Sequence, residues 1–308
     1  MRPRFYKKIE DLPRGVDIIS LPFSPRYSGG VWVYFPWHMQ AFYMPPEDAY
    51  YQLRTSRNRN LVTTEEQFKF RNFKVGIAGL SVGSAILETL VASGGPKVLK
   101  IADPDIIEFT NLNRIKANLM DVGQNKAVVA ARRVWEADPF AEIEILREGV
   151  NLDNLDSFVL GLDLFIDETD DIKFKMLSRS TCRVHRIPVV MATDLGDGVM
   201  LDIERFDLEP SRPLFHGLVD IQPDELDKIS KDDWKKLATK IIGSSNMPER
   251  LIKSLEEVGK TLEGVPQLGS TAALAGAAAT YVVRQIACGY DMPSGRYMID
   301  LGKLISLR

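Results

Sequence analysis

The sequence predicts an α/β fold: a doubly wound, mostly parallel sheet with helices on both faces. Short apolar runs of strand length alternate with amphipathic stretches of helix length from residue 73 to about residue 195. The connections between these segments are only a few residues long, so successive strands are joined by helices and run parallel. Because ligands of such sheets bind beyond the carboxyl ends of the strands, candidate site residues are expected directly after the apolar runs.

The first strand and helix show this pattern most clearly. FKVGIAG, residues 73–79, is a short run of small and β-branched residues, typical of a strand buried on both faces. In the SVGSAILETLVASGG that follows, Ile86, Leu87 and Leu90 share one helical face, and the pair Gly94-Gly95 ends the helix. Further strands are predicted at KVLKIADP, AEIEILREGV, LDLFIDETD, IPVVMATD, GVMLDIERFD and RYMIDL, and further helices at NKAVVAARRVWEADP, NLDNLDSFVLG, KFKMLSRSTCRVHR and about residues 270–288.

Two segments fall outside the alternation. Residues 1–65 are rich in Pro, Tyr and Trp and show no clear period, which predicts an irregular N-terminal arm with a possible short strand at GGVWVYF. We expect this arm to pack against the core or in a dimer. Residues 66–308 predict one main domain, in which the charged stretch from about 207 to 264 forms a helical insertion.

Composition excludes several classes of protein. The chain has 308 residues and a net charge of -3. It therefore lacks the excess of basic residues that would indicate broad nucleic-acid binding. Its two cysteines, Cys182 and Cys288, are far apart, which argues against a disulfide framework and a structural zinc site. We expect Cys182 to be a buried small apolar residue, although His185 lies close enough in sequence to activate it. The charged amino terminus is unlike a secretory signal, no stretch predicts a membrane span, and a cytoplasmic location is expected.

The turn after the first strand is the first candidate binding element. It contains Gly79, Ser81 and Gly83 and leads into a helix, where backbone N–H groups and the helix dipole can hold phosphate. Only Gly83 matches the usual glycine spacing, because Ala78 and Leu80 stand where two glycines are expected. A tight turn without a ligand therefore remains an alternative.

Acids and bases follow the second strand in ADPDIIEFTNLNR. Asp103 and Asp105 stand about twenty residues after the glycine turn, where an acid commonly accepts ribose hydroxyls, although Asp-Pro-Asp also favours a simple turn. Asn111 and Arg114 follow, and Lys126 opens the next helix. Arg and Lys neutralise polyphosphates, so this stretch contains groups suited to both ends of ATP.

A further cluster of acids ends the fourth strand in DLFIDETDD. Mg²⁺ is typically held by one or two carboxylates together with phosphate oxygens, so Asp170 is the candidate magnesium ligand. Asp170 and Asp171 are also suited to capping the next helix, and one of them can do so whatever the other does.

The order of these motifs resembles the ubiquitin-activating-enzyme-like adenylyltransferases of the ThiF and MoeB type. The matching stretches are RNRN, AGLSVGS, DPDIIEFTNLNRI, Lys126 and ETDD, spread over roughly residues 57–207, with a weaker return after residue 265. The resemblance implies a Rossmann-like adenylation domain that uses ATP and Mg²⁺. It implies that Asp103 and Asp105 hold the ribose, that Asn111, Arg114 and Lys126 contact the phosphates, and that Asp170 ligates the metal.

The resemblance also implies a homodimer, in which Arg59 reaches the ATP of the partner subunit. The predicted reaction is formation of an acyl-adenylate on the carboxyl terminus of a ubiquitin-like or sulfur-carrier protein, or on a peptide. Ile115 and Asp171 replace a Gln and an Asn of the family pattern, and the zinc and thioester cysteines of many relatives have no counterpart. Three alternatives remain: a regulatory member that binds nucleotide without turnover, an enzyme like the zinc-free tRNA threonylcarbamoyladenosine dehydratases, and an NAD(P)-linked oxidoreductase, which would leave Asn111, Arg114 and Lys126 without a role.

Overall fold

The N-terminal arm is a small sheet. The computed structural model describes residues 2–21, 29–219, 225, 237, 239–243 and 247–305. Strands β1 (Arg4–Tyr6), β2 (Asp17–Ile19), β3 (Val31–Phe35) and β4 (Gln40–Met44) form a sheet in the order β1-β3-β4-β2. The prediction of an irregular arm was wrong here, although the suggested strand at GGVWVYF is β3. Two runs of aromatic and β-branched residues flank the turn PWHM, a hairpin signal that the proline and tryptophan hide.

This small sheet packs against the main domain. The indole Nε1 of Trp37 donates to Oε1 of Glu136 at 2.7 Å, and the hydroxyl of Tyr50 donates to the carbonyl of Ala137 at 2.7 Å. The ring of Phe5 stacks on that of Phe140 with centroids 5.2 Å apart. The aromatic residues of the arm therefore pack on one end of the main domain, which is one of the two placements expected from the sequence.

A seven-stranded sheet forms the centre of the main domain. Its strands are β5 (Val75–Ala78), β6 (Val98–Ala102), β7 (Glu142–Leu146), β8 (Leu164–Asp167), β9 (Val189–Leu195), β10 (Gly198–Glu204) and β11 (Gly295–Asp300). They lie in the order β11-β10-β9-β8-β5-β6-β7. The five strands from β7 to β9 are parallel, which confirms the predicted fold class. Strand β10 runs antiparallel to both of its neighbours, β9 and β11, and a two-residue turn at Gly196 and Asp197 joins it to β9.

Helices cover both faces of this sheet. They are α1 (Glu47–Arg54), α2 (Thr64–Asn72), α3 (Val82–Ala92), α4 (Lys126–Ala137), α5 (Leu155–Val159), α6 (Ile172–Val184), α7 (Glu249–Glu257), α8 (Gly269–Cys288) and α9 (Leu301–Ile305). Apolar residues of α3, α4 and α8 share one core cluster, and those of α5 and α6 share another on the opposite face. All four residues of β5 and of β8 are buried, as two-sided coverage requires.

Small residues let α8 approach α3 closely. A Cβ on Gly276 would lie 2.7 Å from the carbonyl oxygen of Ala85, so only glycine fits there. This contact confirms that the alanine-rich helix is buried within the protein, and among the described residues no helix is long and apolar enough to cross a membrane. In the predicted insertion, the described residues form a short 3₁₀ turn at Leu214–Gly217 and helix α7, while most of QPDELDKISKDDWKKLATKIIGSS lies outside the described residues.

Candidate functional site

The carboxyl ends of β5, β6 and β8 open into one cleft of about 450 Å³. Six of the predicted site residues, from the segments after these three strands, line the cleft: Gly79, Ser81, Asp103, Asp105, Lys126 and Asp170. Gly83, Asn111 and Arg114 follow the same strands but are not among its lining residues. Residues distant in the sequence are thus brought together at one edge of the sheet, where an α/β fold binds its ligands.

The glycine turn forms the floor of the cleft and requires glycine at one position. Gly79 has a φ of +87°, and a Cβ there would lie 2.3 Å from the carbonyl oxygen of Glu168. Leu80 buries its side chain in the core, so it does not fill the space over the turn. Gly83 lies in the first turn of α3, where a Cβ would be 3.0 Å from Cγ2 of Ile77. In this structure Gly83 therefore lets α3 pack closely on β5.

Asp103 organises the turn. Its carboxylate accepts the N–H of Leu80 at 2.6 Å and the N–H of Asp105 at 2.9 Å. Burial raises the pKa of Asp103, while nearby Lys126 acts in the opposite direction. Asp105 is exposed at the rim, so the two acids differ: one holds the backbone, and the other faces the cleft.

A lysine supplies positive charge at this rim. Nζ of Lys126, the first residue of α4, lies 2.8 Å from Oδ2 of Asp105. The lysine side chain is largely buried whereas that of Asp105 is exposed, with side-chain exposures of 10% and 66%. The ammonium group is therefore fixed next to the cleft, where it can meet a second anion.

Arg114 lies beside the glycine turn. Its Nε donates to Oγ of Ser81 at 3.0 Å, and its Nη1 donates to the carbonyl of Thr110 and to Oδ1 of Asn113, each at 3.0 Å. Asn111 is buried, and its Oδ1 accepts the N–H of Glu108 at 3.1 Å, so it shapes the loop that carries the arginine. Burial lowers the pKa of Arg114, and the carboxylates of Asp194 and Asp170 oppose that effect.

The two acids after β8 have different positions. Oδ1 of Asp171 accepts the N–H of Phe174 at 3.1 Å and caps α6, whereas exposed Asp170 lines the cleft. Beneath them, Asp167 is fully buried and accepts hydrogen bonds from the hydroxyl of Thr169 at 2.7 Å and from Nη1 of Arg179 at 2.5 Å. These bonds hold the loop that presents Asp170.

Comparison with known proteins places the chain in a family. Residues 55–298 match the ThiF family. The chain belongs to the ThiF family. It is 37% identical over 271 residues to the uncharacterized protein MT1398 of Mycobacterium tuberculosis, covering 88% of this chain and 38% of that protein. It is 30% identical over 156 residues to the tRNA threonylcarbamoyladenosine dehydratase of Bacillus subtilis, covering 50% of this chain and 60% of that protein.

Other ThiF-type relatives share less sequence. The chain is 28% identical over 181 residues to the probable molybdopterin-synthase adenylyltransferase of Porphyra purpurea, which is 58% of this chain and 46% of that protein. It thus spans less than two thirds of the length of these three relatives. Two solved structures share the ThiF-type fold. Escherichia coli MccB with MccA-N7isoASN has a TM-score of 0.59, 20% identity and coverage of 84% and 71% of the two chains. Escherichia coli TcdA has a TM-score of 0.55, 21% identity and coverage of 79% and 96%.

Arg59 of this ThiF-family chain lies away from the cleft. It is exposed and lines a second cavity, of about 640 Å³, together with residues of α1 and α2 and with Lys97 at the start of β6. That cavity lies at the amino ends of β5 and β6, one strand length, about 15 Å, from the carboxyl ends. Arg59 therefore does not take part in the cleft of its own chain.

Two acids with raised pKa values were not predicted from the sequence: Glu168, which lines the cleft, and Asp194. Burial raises the pKa of Glu168 to about 8, and its Oε1 accepts the N–H of Ala192 at 2.7 Å. Burial also raises the pKa of Asp194, at the end of β9, to about 6. Both residues follow apolar runs, in LFIDETD and VVMATD, so strand-end position was the available signal.

The cysteine near the middle of the chain has a structural environment. Cys182 is fully buried, and burial raises the pKa of its thiol. Among the described residues no hydrogen bond joins His185 to Cys182; Nε2 of His185 lies 2.7 Å from Oδ1 of Asp156. The expectation that Cys182 acts as a small apolar residue is confirmed.

Ile115, which replaces a family Gln, is buried with Ile107 and Val129.

Proposed function

We propose that this ThiF-family protein is an ATP- and Mg²⁺-dependent adenylyltransferase that activates a carboxylate of an acceptor. The acceptor carboxylate attacks the α-phosphorus of ATP, a new O–P bond forms, and the α–β bridging bond breaks with its electron pair leaving on pyrophosphate. The product is an acyl-adenylate. The related molybdopterin-synthase adenylyltransferase of Porphyra purpurea supports this class of reaction.

One observation carries the proposal: a lysine, a glycine turn and carboxylates from three separate loops line a single cleft. Lys126 and Asp105 stand on one side, the turn at Gly79 to Ser81 in the middle, and Asp170 on the other. A triphosphate across the turn would meet the amino end of α3 and two cations, Lys126 and Arg114. The proposed roles of Arg114 and Lys126 are to neutralise and orient the phosphates.

The rest of the cleft suits a nucleoside. Its lining also includes the apolar residues Val150, Leu152, Phe174 and Leu177, together with Asn151. Apolar walls with a few polar groups are typical of sites that bind a planar base. We infer that the ribose lies near Asp105, with Asp103 holding the backbone beneath it.

The residues present also fit Mg²⁺. Asp170 offers an exposed carboxylate at the phosphate end of the cleft, and magnesium sites commonly use one such carboxylate with phosphate oxygens. When bound, the ion would neutralise charge that develops on the phosphates during transfer. Asp170 would hold it against the nucleotide, and the cap at Asp171 and the buried Asp167 fix the loop.

The proposed assembly is a homodimer in which Arg59 reaches the cleft of the partner subunit. The position of Arg59 supports action in trans, since it lies at the opposite edge of the sheet from its own cleft. The proposed acceptors are the carboxyl terminus of a ubiquitin-like or sulfur-carrier protein, or a peptide, in the cytoplasm.

Pyrophosphate release tests the proposal. The protein is incubated with ATP, Mg²⁺ and candidate acceptors, and pyrophosphate and adenylate are measured. Lys126→Met should weaken binding of Mg²⁺·ATP about 10- to 100-fold, because a charge-assisted contact is lost. Lys116→Met is the matched control, since that exposed lysine pairs with Glu88 at 3.3 Å outside the cleft. Absence of ATP binding would refute the adenylyltransferase and a regulatory nucleotide-binding role together, whereas tight binding without turnover with any acceptor would favour the regulatory role.

A tRNA acceptor is the second candidate. The identity to the Bacillus subtilis tRNA threonylcarbamoyladenosine dehydratase favours it, while the net charge of -3 gives no basic surplus for tRNA. Adding tRNA that carries threonylcarbamoyladenosine to the same assay distinguishes the two candidates. If pyrophosphate release depends on that tRNA, the acceptor is tRNA and not a protein or peptide.

A further inference from the structure

A chain of hydrogen bonds links Arg114 to Asp194. Its Nη1 donates to Oδ1 of Asn113 at 3.0 Å, and Nδ2 of Asn113 donates to the carbonyl of Gln267 at 2.8 Å. Nε2 of Gln267 donates to Oδ2 of Asp194 at 3.3 Å. These three hydrogen bonds connect Arg114 to Asp194 through Asn113 and Gln267. The Asp194 carboxylate also attracts the guanidinium of Arg114 electrostatically, without a direct hydrogen bond.

These hydrogen bonds join three separate parts of the polypeptide chain. Asn113 and Arg114 lie in the loop after β6, Asp194 at the end of β9, and Gln267 just before α8. The last part packs tightly on the first, because a Cβ on Gly269 would lie 2.4 Å from the carbonyl oxygen of Asn113. The hydroxyl of Thr271 donates to the carbonyl of Gly196, which also ties the start of α8 to the β9–β10 turn. The position of Arg114 thus depends on elements outside its own loop.

Only one of the two carboxylate oxygens of Asp194 takes part in these hydrogen bonds. Its Oδ1 is buried and has no hydrogen-bond partner among the described residues, while Oδ2 accepts from Gln267. A buried carboxylate oxygen without a donor lowers stability unless an interaction with charge compensates for it. The charged groups that interact with Asp194 are Arg114, which is attractive, and Glu168, which is repulsive when ionised.

We propose that Asp194, with Gln267 and Asn113, is a positioning residue for Arg114: it fixes the guanidinium at the orientation in which it meets the phosphates of the nucleotide. This inference rests on the proposed function. The physical advantage is preorganisation. A long arginine side chain samples many rotamers, and one held before the ligand arrives loses less conformational entropy on binding.

Electrostatics gives this inference a test with a definite sign. Asp194→Ala removes a negative charge near a triphosphate site and also removes the acceptor of the Gln267 hydrogen bond. If Asp194 acted only through its charge, this variant would bind the nucleotide more tightly. If Asp194 positions Arg114, the variant binds more weakly, by about fivefold, the size typical of coupling between adjacent groups. The probe is α,β-methylene ATP with Mg²⁺, and the dissociation constant is measured by calorimetry.

A double-mutant cycle separates positioning from a structural role. In the Arg114→Ala background, Asp194→Ala should no longer weaken binding, because the residue through which Asp194 acts is absent. Weakening of equal size in both backgrounds, or tighter binding in both, would overturn the inference. Gln267→Ala, which removes the side chain that bonds to Asp194 from a partly exposed position, should also weaken binding. Asp197→Ala, the same substitution on the exposed turn, should have no effect. Failure of the wild-type chain to bind the probe would refute the proposed function and this inference with it, whereas binding with an additive cycle would refute only the inference.

Discussion

Gly79 and Glu168 are in backbone contact, and this contact joins the two central loops of the cleft. A Cβ on Gly79 would lie 2.3 Å from the carbonyl oxygen of Glu168 and 2.9 Å from the amide nitrogen of Thr169. The glycine turn after β5 therefore touches the loop that presents Asp170. Movement of one loop would displace the other, so the conformation of the turn is coupled to the position of Asp170, the proposed metal ligand.

Gly79→Ala should destabilise the protein and weaken nucleotide binding. The residue has a φ of +87°, and the added methyl group meets the Glu168 backbone, which cannot move as a flexible side chain would. We expect a loss of about 2–4 kcal/mol in the free energy of unfolding, measured with urea. Gly161→Ala is the control, with a φ of +78° and nothing within 4 Å of its Cβ. If both variants lost the same free energy, the contact with Glu168 would have no energetic role.

Asp170→Ala should reduce the response to Mg²⁺. With the proposed ligand removed, we expect pyrophosphate release to fall about 100-fold and the Mg²⁺ concentration for half-maximal rate to rise. Asp171→Ala provides the comparison, because that residue caps α6. It should lower stability by about 1 kcal/mol while leaving the Mg²⁺ dependence unchanged. A normal Mg²⁺ response in the Asp170→Ala protein would remove the metal assignment.

Mixing two inactive variants tests whether Arg59 acts in trans. Arg59→Ala and Asp170→Ala should each be inactive, and each should complement the other once subunits exchange. In a mixed dimer one cleft combines an intact Asp170 with an intact Arg59 from the partner. Random exchange at equal concentrations should restore about a quarter of the wild-type rate. No recovery, with subunit exchange established by sedimentation of labelled chains, would contradict action across a dimer.

The stability of the protein should depend on pH through Asp194. Burial raises its pKa from 3.8 to about 6, with Gln267 and Arg114 opposing the shift. A carboxyl with a raised pKa binds more protons in the folded state, so its contribution is fully present below pH 3.8 and is lost as the pH rises to about 6. Asp194→Asn should flatten this decline by about 1 kcal/mol, less than the full shift implies because the group is partly exposed. Urea unfolding between pH 4 and pH 7 measures it. An unchanged slope, with Asp197→Asn as reference, would show that Asp194 titrates normally.

Local patterns in the sequence were sufficient for the central fold and for most of the cleft. Strand-length apolar runs and short connections determined the parallel sheet, and topology then places every strand-end residue at one edge. This is why Asp103, Asp105, Lys126 and Asp170 could be predicted together. Asp194 could have been predicted in the same way, because it ends the strand-length run VVMATD. It was missed because no family motif marks that strand end.

Tertiary contacts decided what each of these residues does. Nothing in the sequence distinguishes Asp103 from Asp105, yet one binds two backbone N–H groups and the other faces the cleft. Nothing local predicts that Gln267 would reach Asp194, because hydrogen bonds between residues 73 positions apart depend on how distant segments pack. The sequence determined which residues reach the site, since strand ends follow from local periodicity. The tertiary structure alone decided their partners, because burial and hydrogen bonding depend on groups that only the folded chain brings into contact.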